Sequence, residues 1–235
     1  MVFKNNDELK EYLLHLDTVN AKDFNEKIQA SDRFIYGVKI PSLRAMAKAC
    51  AKEDVYAFLN VLSDDSFEEV MLFGMSIGYA NIPFEERLRL IDEYLEKANS
   101  WGLIDSVVST YKFIGKDRER FLPVVQKYLR STEEFKVRFA LVALLCYYVS
   151  EEYLSYIFDV CDAADCSPFY VSMAVAWLVS VCFAKYPVQT EKYLNHTKLD
   201  DLTFNRTVRK ILDSYRVDEL TKQKIKLMKR KTNGR

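Results

Sequence analysis

The sequence contains few of the residues that interrupt regular structure. Glycine occurs 6 times and proline 5 times in 235 residues, whereas an average chain holds about 12% of the two together. All-β folds need turn residues every ~8–12 positions, and doubly wound α/β folds need glycine at the turns between strands and helices. The scarcity of both residues excludes these classes and predicts an almost entirely helical protein.

Histidine is also scarce. Only His15 and His196 are present, and neither stands near a nucleophile or in a metal-ligand spacing. Hydrolysis by Ser–His–Asp or Cys–His groups and histidine-ligated zinc are therefore not expected. No glycine-rich phosphate loop occurs, so nucleotide cofactors are not expected either. An enzyme built on this chain would use carboxylates, aromatic rings and arginine, with no metal and no cofactor.

Cysteine usage and hydropathy indicate a cytoplasmic protein. The five cysteines are odd in number and form no Cys-x-x-Cys pair, which predicts reduced, buried thiols. The N-terminal residues show no apolar signal core. The longest uncharged run, residues 166–184, reaches the length of a membrane span at 19 residues. It contains Pro168 and three serines, however, and so favours a buried core helix.

The formal net charge is zero, with 34 basic and 34 acidic residues, which excludes a uniformly basic surface for nucleic acid. The charges are nevertheless segregated. Residues 51–99 hold 4 Lys/Arg against 11 Asp/Glu, and residues 204–235 hold 11 Lys/Arg against 3 Asp/Glu. A basic end of this kind either binds phosphates or forms a solvated terminal cap, and the sequence alone leaves both interpretations open.

The spacing of the prolines indicates a repeat. Pro41, Pro83, Pro123 and Pro168 lie 42, 40 and 45 residues apart, and each is interpreted as opening a helix. Such intervals are typical of HEAT and armadillo repeats. We therefore predict one HEAT-like-repeat domain over residues 1–235. Its fold would be an all-α, right-handed α-solenoid of degenerate helical pairs with a concave binding face.

Hydrophobic periodicity and capping residues predict the individual helices. They are expected over residues 6–16, 20–30, 41–51, 54–63, 67–80, 84–97, 101–113, 118–129, 134–149, 151–163, 168–185, 188–194, 201–214 and 217–230.

Four side chains stand out against this helical background. Asp105 follows Trp101 by four residues, so the carboxylate and the indole share a helix face. Spacing alone also fits a core tryptophan with an aspartate near a helix start. Trp177 lies in an apolar helix, where packing is the common role of tryptophan. Arg138 precedes an apolar stretch and either extends outward or binds an anion.

Taken together, these residues resemble the AlkD-like DNA alkylation repair family of HEAT-like-repeat glycosylases. Residues 36–44, Tyr-Gly-Val-Lys-Ile-Pro-Ser-Leu-Arg, are similar to its N-terminal signature. Trp101-x-x-x-Asp105 is similar to its Trp–Asp catalytic helix. Arg138 and then Ala176-Trp177-Leu178 are similar to its later arginine and tryptophan. The order and spacing fit across roughly residues 30–215.

The resemblance implies a monofunctional DNA glycosylase that excises cationic N3- or N7-alkylated purines by hydrolysis, without a deep base-flipping pocket. Its partner would be double-stranded DNA carrying alkylated bases, with no cofactor, no metal and no membrane, and the chain would act as a monomer. Catalytic roles fall to Asp105, Trp101 and Trp177. Contacts to DNA are assigned to Arg138, Lys136, Arg44, Arg209 and Lys210.

The sequence departs from the family pattern at three places. Gly102 stands where many relatives have an acidic residue, Phe67 where they often have histidine, and Val179 where they often have arginine. These departures favour an alternative, a catalytically weak or inactive HEAT-like module that binds damaged or branched DNA. A scaffold for other proteins is a third hypothesis, since many helical solenoids serve that role.

Overall fold

The computed structural model describes residues 1–16 and 31–231. Within these ranges the chain is α-helical, and one isolated bridge, between Phe34 and Ser66, is its only β pairing. This confirms the predicted all-α class. The chain divides into two compact units, Met1–Lys116 and Asp117–Arg235. The single domain and the right-handed solenoid with a concave face remain predictions.

The first unit is organised around one buried helix. Its helices are α1 (Asn6–His15), α2 (Ile40–Val61), α3 (Phe67–Tyr79), α4 (Phe84–Lys97), α5 (Trp101–Val108) and α6 (Lys112–Lys116). Every residue of α3 from position 67 to position 77 is buried. The helix packs against α2, α4 and α5, so it forms the core on which α5 rests.

The second unit is also organised around one largely buried helix. Its helices are α7 (Arg118–Leu129), α8 (Glu134–Tyr147), α9 (Leu154–Ala163), α10 (Phe169–Lys185), α11 (Pro187–Leu194), α12 (Asp201–Leu212) and α13 (Glu219–Lys226), and a 3₁₀ turn (Glu151–Tyr153) precedes α9. Helix α10 packs against α8, α11 and α12. It holds most of the long uncharged run, and from Val171 onward this run is largely buried, as predicted. None of the described helices is both long enough and apolar enough to span a membrane.

Capping residues explain why most predicted boundaries are confirmed. Ser100 and Asp200 cap α5 and α12 by accepting backbone N–H groups. Pro41 lies at the start of α2, and Pro83 and Pro168 stand immediately before α4 and α10. The interpretation of Pro123 as a helix opener is wrong, because this residue lies inside α7.

The predicted helix 118–129 is confirmed as α7, whereas the predicted helix 101–113 differs in detail. The side chain of Asp117 accepts the Arg120 N–H and so starts α7 before Pro123. The predicted helix 101–113 breaks after Val108. There the hydroxyls of Ser109 and Thr110 donate to carbonyls three residues earlier, at 2.8 and 2.7 Å, and compete with the helical pattern.

The predicted boundary between helices 41–51 and 54–63 is a kink inside α2. Asp54 there has φ −152° and ψ 103°, and its side chain accepts the Ala57 N–H at 3.0 Å. The predicted helix 20–30 lies outside the described residues. All five cysteines are free thiols, but the expectation that they are buried is wrong for Cys146, which is exposed, and Cys166 is only partly covered.

Helices α3, α4 and α5 come unusually close at Gly74. A Cβ atom at this position would lie 2.6 Å from the Tyr94 ring of α4 and 2.8 Å from a Val107 methyl of α5. Neither side chain has room to withdraw, since both are fully buried. Glycine is therefore required at position 74 for α5 to reach its observed position on the core.

We expect Gly74→Ala to lower the free energy of unfolding by about 1–3 kcal/mol, because the added methyl group overpacks this contact. Thermal or urea unfolding would measure the change. Ser76→Ala in the same helix is the matched control. The Ser76 hydroxyl is buried with no hydrogen-bond partner in the described structure, so its removal should change stability by less than about 1 kcal/mol. A Gly74→Ala protein as stable as wild type would contradict the close approach.

Candidate functional site

In the first unit, Trp101 and Asp105 lie on the half-exposed face of α5. The Ser100 side chain accepts the Leu103 N–H and starts the helix at Trp101. The opposite face is buried, and it consists of Leu103, Ile104, Val107 and Val108 together with Gly102. Trp101 and Asp105 are both only half-buried, so the sequence-predicted pair shares one accessible face of one helix.

The buried Tyr94 of α4 supports α5 from the side of the core. The Tyr94 hydroxyl donates to the Leu103 carbonyl at 2.9 Å, and its ring lies parallel to that of Phe73. Burial raises the pKa of Tyr94 well above its usual value, and the nearby charge of Asp105 adds to the effect. The phenol therefore stays protonated at neutral pH and remains a hydrogen-bond donor to α5.

Arg44, predicted to contact DNA, reaches the same face of α5. It is exposed, and its Nη2 donates to the Ser109 hydroxyl at 2.7 Å. Ser109 follows Asp105 by four residues, and its N–H donates to the Asp105 carbonyl, so both residues lie on one side of the helix end. The structure thus brings together the Trp101, Asp105 and Arg44 of the sequence prediction.

The loop that contains residues 31–38 holds the start of α5. The Arg33 Nη1 donates to the side-chain oxygen of Asn99 at 2.6 Å, and the Asn99 amide donates to Asp32 at 2.7 Å. The Arg33 Nε also donates to the Asp64 carbonyl at 2.9 Å. Since Asn99 immediately precedes the Ser100 cap, these bonds fix the position at which the Trp101 helix begins.

Glu68 of α3 organises this loop in turn. Its buried carboxylate accepts the backbone N–H groups of Tyr36, Gly37 and Val38 at 3.0, 2.8 and 3.2 Å. Gly37 has φ 86°, a conformation that glycine adopts without strain and that directs successive N–H groups to one anion. Burial raises the pKa of Glu68, and the three hydrogen bonds oppose that effect.

In the second unit, Trp177 lines a cleft that three cationic side chains also line. The cleft has a volume of about 570 Å³, and Trp177 forms part of its wall. Its cations are Lys185, Lys210 and Arg216, and Asp213 and Tyr215 also line it. The structure therefore joins Trp177 to Lys210, one of the predicted DNA contacts. Another predicted contact, Arg209, pairs with Asp213 at 3.2 Å.

The sequence analysis assigned no role to Lys185 or Tyr215. Lys185 ends α10 two turns after Trp177, and its ammonium group donates to the Val149 carbonyl at 3.3 Å. Tyr215 belongs to the basic segment 204–235 and is fully exposed. An exposed aromatic residue next to Arg216 in a basic segment is a signal that could have marked this side of the cleft.

Arg138 and Lys136 of α8 are engaged in local contacts. Arg138 is only 5% exposed; its Nη1 donates to the Tyr170 carbonyl at 2.8 Å, and its guanidinium lies 6.0 Å from the Tyr170 ring centre. Lys136 pairs with Glu133 at 2.6 Å. The Arg138 guanidinium is therefore held in place, and the Lys136 side chain, which is 14% exposed, pairs with the more exposed Glu133.

A comparison with known protein families shows to which family the chain belongs. A family described as DNA alkylation repair enzyme matches residues 9–215, most of the sequence. The protein belongs to the DNA alkylation repair enzyme family. The match includes Trp101, Asp105, Arg138 and Trp177, and it confirms the family resemblance of the sequence analysis. No curated protein matches the sequence.

Among the described residues, no group of three or more His, Cys, Asp or Glu side chains could hold a metal ion.

We expect Glu68→Ala to lower the free energy of unfolding by about 1–3 kcal/mol or more, because it leaves three backbone N–H groups, two of them buried, without this acceptor. Loop 31–38 and the start of α5 should then exchange amide hydrogens faster. Chemical unfolding combined with hydrogen exchange would measure both effects. The exposed Glu53→Ala is the control, with an expected change within about 0.5 kcal/mol. Unchanged protection of residues 36–38 in the Glu68 variant would contradict this anchoring role.

Proposed function

We propose that the protein is a DNA glycosylase that releases cationic N3- and N7-alkylated purines by hydrolysing the N-glycosidic bond. The proposal rests chiefly on one observation. A member of the DNA alkylation repair enzyme family presents an indole and a carboxylate, Trp101 and Asp105, together on the half-exposed face of a rigidly held helix. The substrate is double-stranded DNA that carries an alkylated base.

The chemistry of the alkylated purine explains how an indole and a carboxylate could catalyse its release. Alkylation at N3 or N7 gives the purine a full positive charge and makes it a good leaving group. As the glycosidic bond stretches, positive charge moves into the deoxyribose. Asp105 stabilises this charge and orients the attacking water, while the supported helix keeps the carboxylate fixed. The reaction needs neither histidine nor a metal for these steps.

The tryptophans and basic residues supply binding. The indole of Trp101 in the first unit, and by itself that of Trp177 in the second, can attract a cationic, desolvated nucleotide by cation–π interaction. Lys210, which lines the Trp177 cleft, contacts a phosphate, and Arg44, Lys136 and Arg209 add electrostatic attraction. Arg138 grips a phosphate next to the lesion. This role requires the guanidinium, which is only 5% exposed and donates to the Tyr170 carbonyl, to turn outward when DNA binds.

A catalytically weak or inactive module that binds damaged or branched DNA is the alternative function. This alternative is based on the three departures from the family pattern, at Gly102, Phe67 and Val179. All three residues are buried, and Phe67 and Val179 are 2% and 0% exposed. The departures therefore fall on buried positions, and Trp101 and Asp105 on the half-exposed face of α5 keep the family pattern, which favours the glycosylase.

We expect Asp105→Asn to reduce base release by about 10²–10³-fold while fold and DNA affinity stay nearly intact. Asparagine keeps the shape of the side chain and removes the negative charge, which matters mainly when positive charge develops on the sugar. Single-turnover release of 7-methylguanine from methylated duplex DNA would measure the effect. The exposed Asp92→Asn serves as the matched control, with the melting temperatures of both variants recorded.

The outcomes separate the two functions. Equal release by wild type and Asp105→Asn would remove Asp105 from the mechanism. A wild-type protein that binds methylated DNA but releases no base would instead establish the binding module. A large fall in melting temperature for Asp105→Asn would show that the carboxylate stabilises the fold.

We also expect DNA affinity to be independent of sequence and to fall steeply as salt increases. The basic segment 204–235 neutralises several phosphates and releases their counterions. Fluorescence anisotropy on unmodified duplexes at several salt concentrations would measure the slope. Affinity that stays flat from low to moderate salt would contradict phosphate binding and would favour the third hypothesis, a protein scaffold.

A further inference from the structure

Another cavity of the second unit lies between α9 and α11. It has a volume of about 640 Å³, which is within the usual range of ligand-binding clefts. It shares no lining residue with the Trp177 cleft, and none of the residues assigned to the proposed glycosylase lines it. We call this cavity the α9–α11 groove. It is therefore separate from the residues that carry the proposed function.

The floor of the α9–α11 groove is apolar and fixed. The rings of Phe158 on α9 and Tyr193 on α11 are parallel, with their centres 4.2 Å apart, and Leu154 lines the groove with them. The Tyr193 hydroxyl donates to Asp162 of α9 at 2.8 Å, which holds the ring in one orientation. Both rings are only partly covered. The two helices are thus joined by an aromatic pair that still presents apolar surface to an occupant.

Charges of opposite sign lie on the two sides of this floor. Glu151 and Asp159 line the groove from the α9 side, and Lys192 and His196 line it from the α11 side. All four residues are exposed. In the part of the chain that the structure describes, neither carboxylate nor the Lys192 ammonium group takes part in an ion pair or a side-chain hydrogen bond. These charges face one groove without pairing across it, so they are available to an occupant with the complementary arrangement.

The groove is elongated along α9. Glu151 and Asp159 are eight residues apart, which is about 12 Å at the rise of an α-helix and corresponds to two helical turns. On the opposite side, the His196 Nδ1 donates to the Lys192 carbonyl at 2.9 Å, so this ring continues the line of α11. An apolar floor of this length between two charged edges is suited to the apolar stripe of a short amphipathic helix.

We propose that the α9–α11 groove binds an amphipathic helix of a partner protein. Its apolar stripe packs on Phe158 and Tyr193, its basic edge faces Glu151 and Asp159, and its acidic edge faces Lys192. The charge pattern selects this occupant. DNA carries negative charge along its whole surface and would be repelled by the two carboxylates, and a helix with charges of one sign would be repelled by one side of the groove. The inference goes beyond the proposed glycosylase and does not depend on it.

The test uses three fluorescein-labelled, hydrocarbon-stapled helical peptides with the same leucine stripe. The first has lysine along one edge of the stripe and glutamate along the other, the second has lysine along both edges, and the third has glutamate along both. A helix that binds in the reverse direction exchanges its two edges. The mixed-edge peptide therefore matches the groove in one of its two directions, whereas neither uniform peptide matches it in any direction. Fluorescence anisotropy gives the affinities, and amide NMR shifts locate the contact.

We expect the wild-type protein to bind the mixed-edge peptide roughly 5–20-fold more tightly than either uniform peptide, because several exposed ion pairs each contribute modestly. A mixed-edge peptide with serine in place of leucine should lose its binding. Lys192→Glu makes both sides of the groove acidic, and this variant should prefer the all-lysine peptide. Lys198→Glu, the same charge change at an exposed residue that does not line the groove, is the matched control and should keep the wild-type preference.

Three results would overturn the proposal: no binding of the mixed-edge peptide at millimolar concentration, the same preference in Lys192→Glu as in wild type, or amide shifts that lie away from α9 and α11. Melting temperatures of both variants are recorded to verify that they fold. Base release from methylated DNA is measured separately on the same proteins. Failure of that assay would overturn the glycosylase alone and would leave the conclusion from the peptide affinities in place.

Discussion

The geometry of the first unit depends on the contact at Gly74. Because this residue has no side chain, α3 approaches the Tyr94 ring and the Val107 methyl closely enough for three helices to share one core. That contact determines which face of α5 is buried. Once Val107 and its neighbours face α3, a helix of eight residues must turn Trp101 and Asp105 to the accessible side. The candidate catalytic face is therefore a consequence of core packing.

Buried charges in the first unit are satisfied by the backbone. Glu68 accepts three N–H groups of the loop that contains residues 36–38. Arg87 donates to the carbonyls of Ile77 and Ala80, and its guanidinium lies 4.3 Å from the Phe113 ring centre. Such charges connect elements far apart in sequence without cancelling an opposite charge. They make the loop and helix positions specific, because each bond requires one geometry.

The sequence predicted the helices well because their signals are local. Caps such as Asp117, Ser100 and Asp200 stand next to the helices that they begin, and periodicity is visible over a few turns. That Trp101 and Asp105 share a helix face could be predicted as well, because their four-residue spacing is also a local signal. Pro123 was misread because a single proline gives no information about the cap six residues before it.

Long-range contacts could not be predicted in this way. The acceptance of three N–H groups by Glu68 depends on a loop about thirty residues earlier, and the bonds of Arg33 to Asn99 span 66 positions. The same holds for Lys185, Tyr215 and Arg216, which join Trp177 only once α10 and α12 are packed together. A short motif identifies the residues that carry a function, but tertiary packing selects the residues that surround them.

A neutral protein can still bind a polyanion when its charges are separated. The acidic residues of 51–99 include Glu68 and Glu69, which are buried and hydrogen-bonded, and Asp64, Asp65 and Glu86, which pair with lysine or arginine on the surface. In contrast, Arg206 and Lys210 of α12 and Arg216 of the following turn lie beside aromatic side chains. Lys210 and Arg216 line the cleft of Trp177, and Arg206 covers Phe169. Since screening limits electrostatic attraction to about 8–10 Å at moderate salt, contact of the proposed DNA with this surface would depend on these local cations and little on the zero total charge.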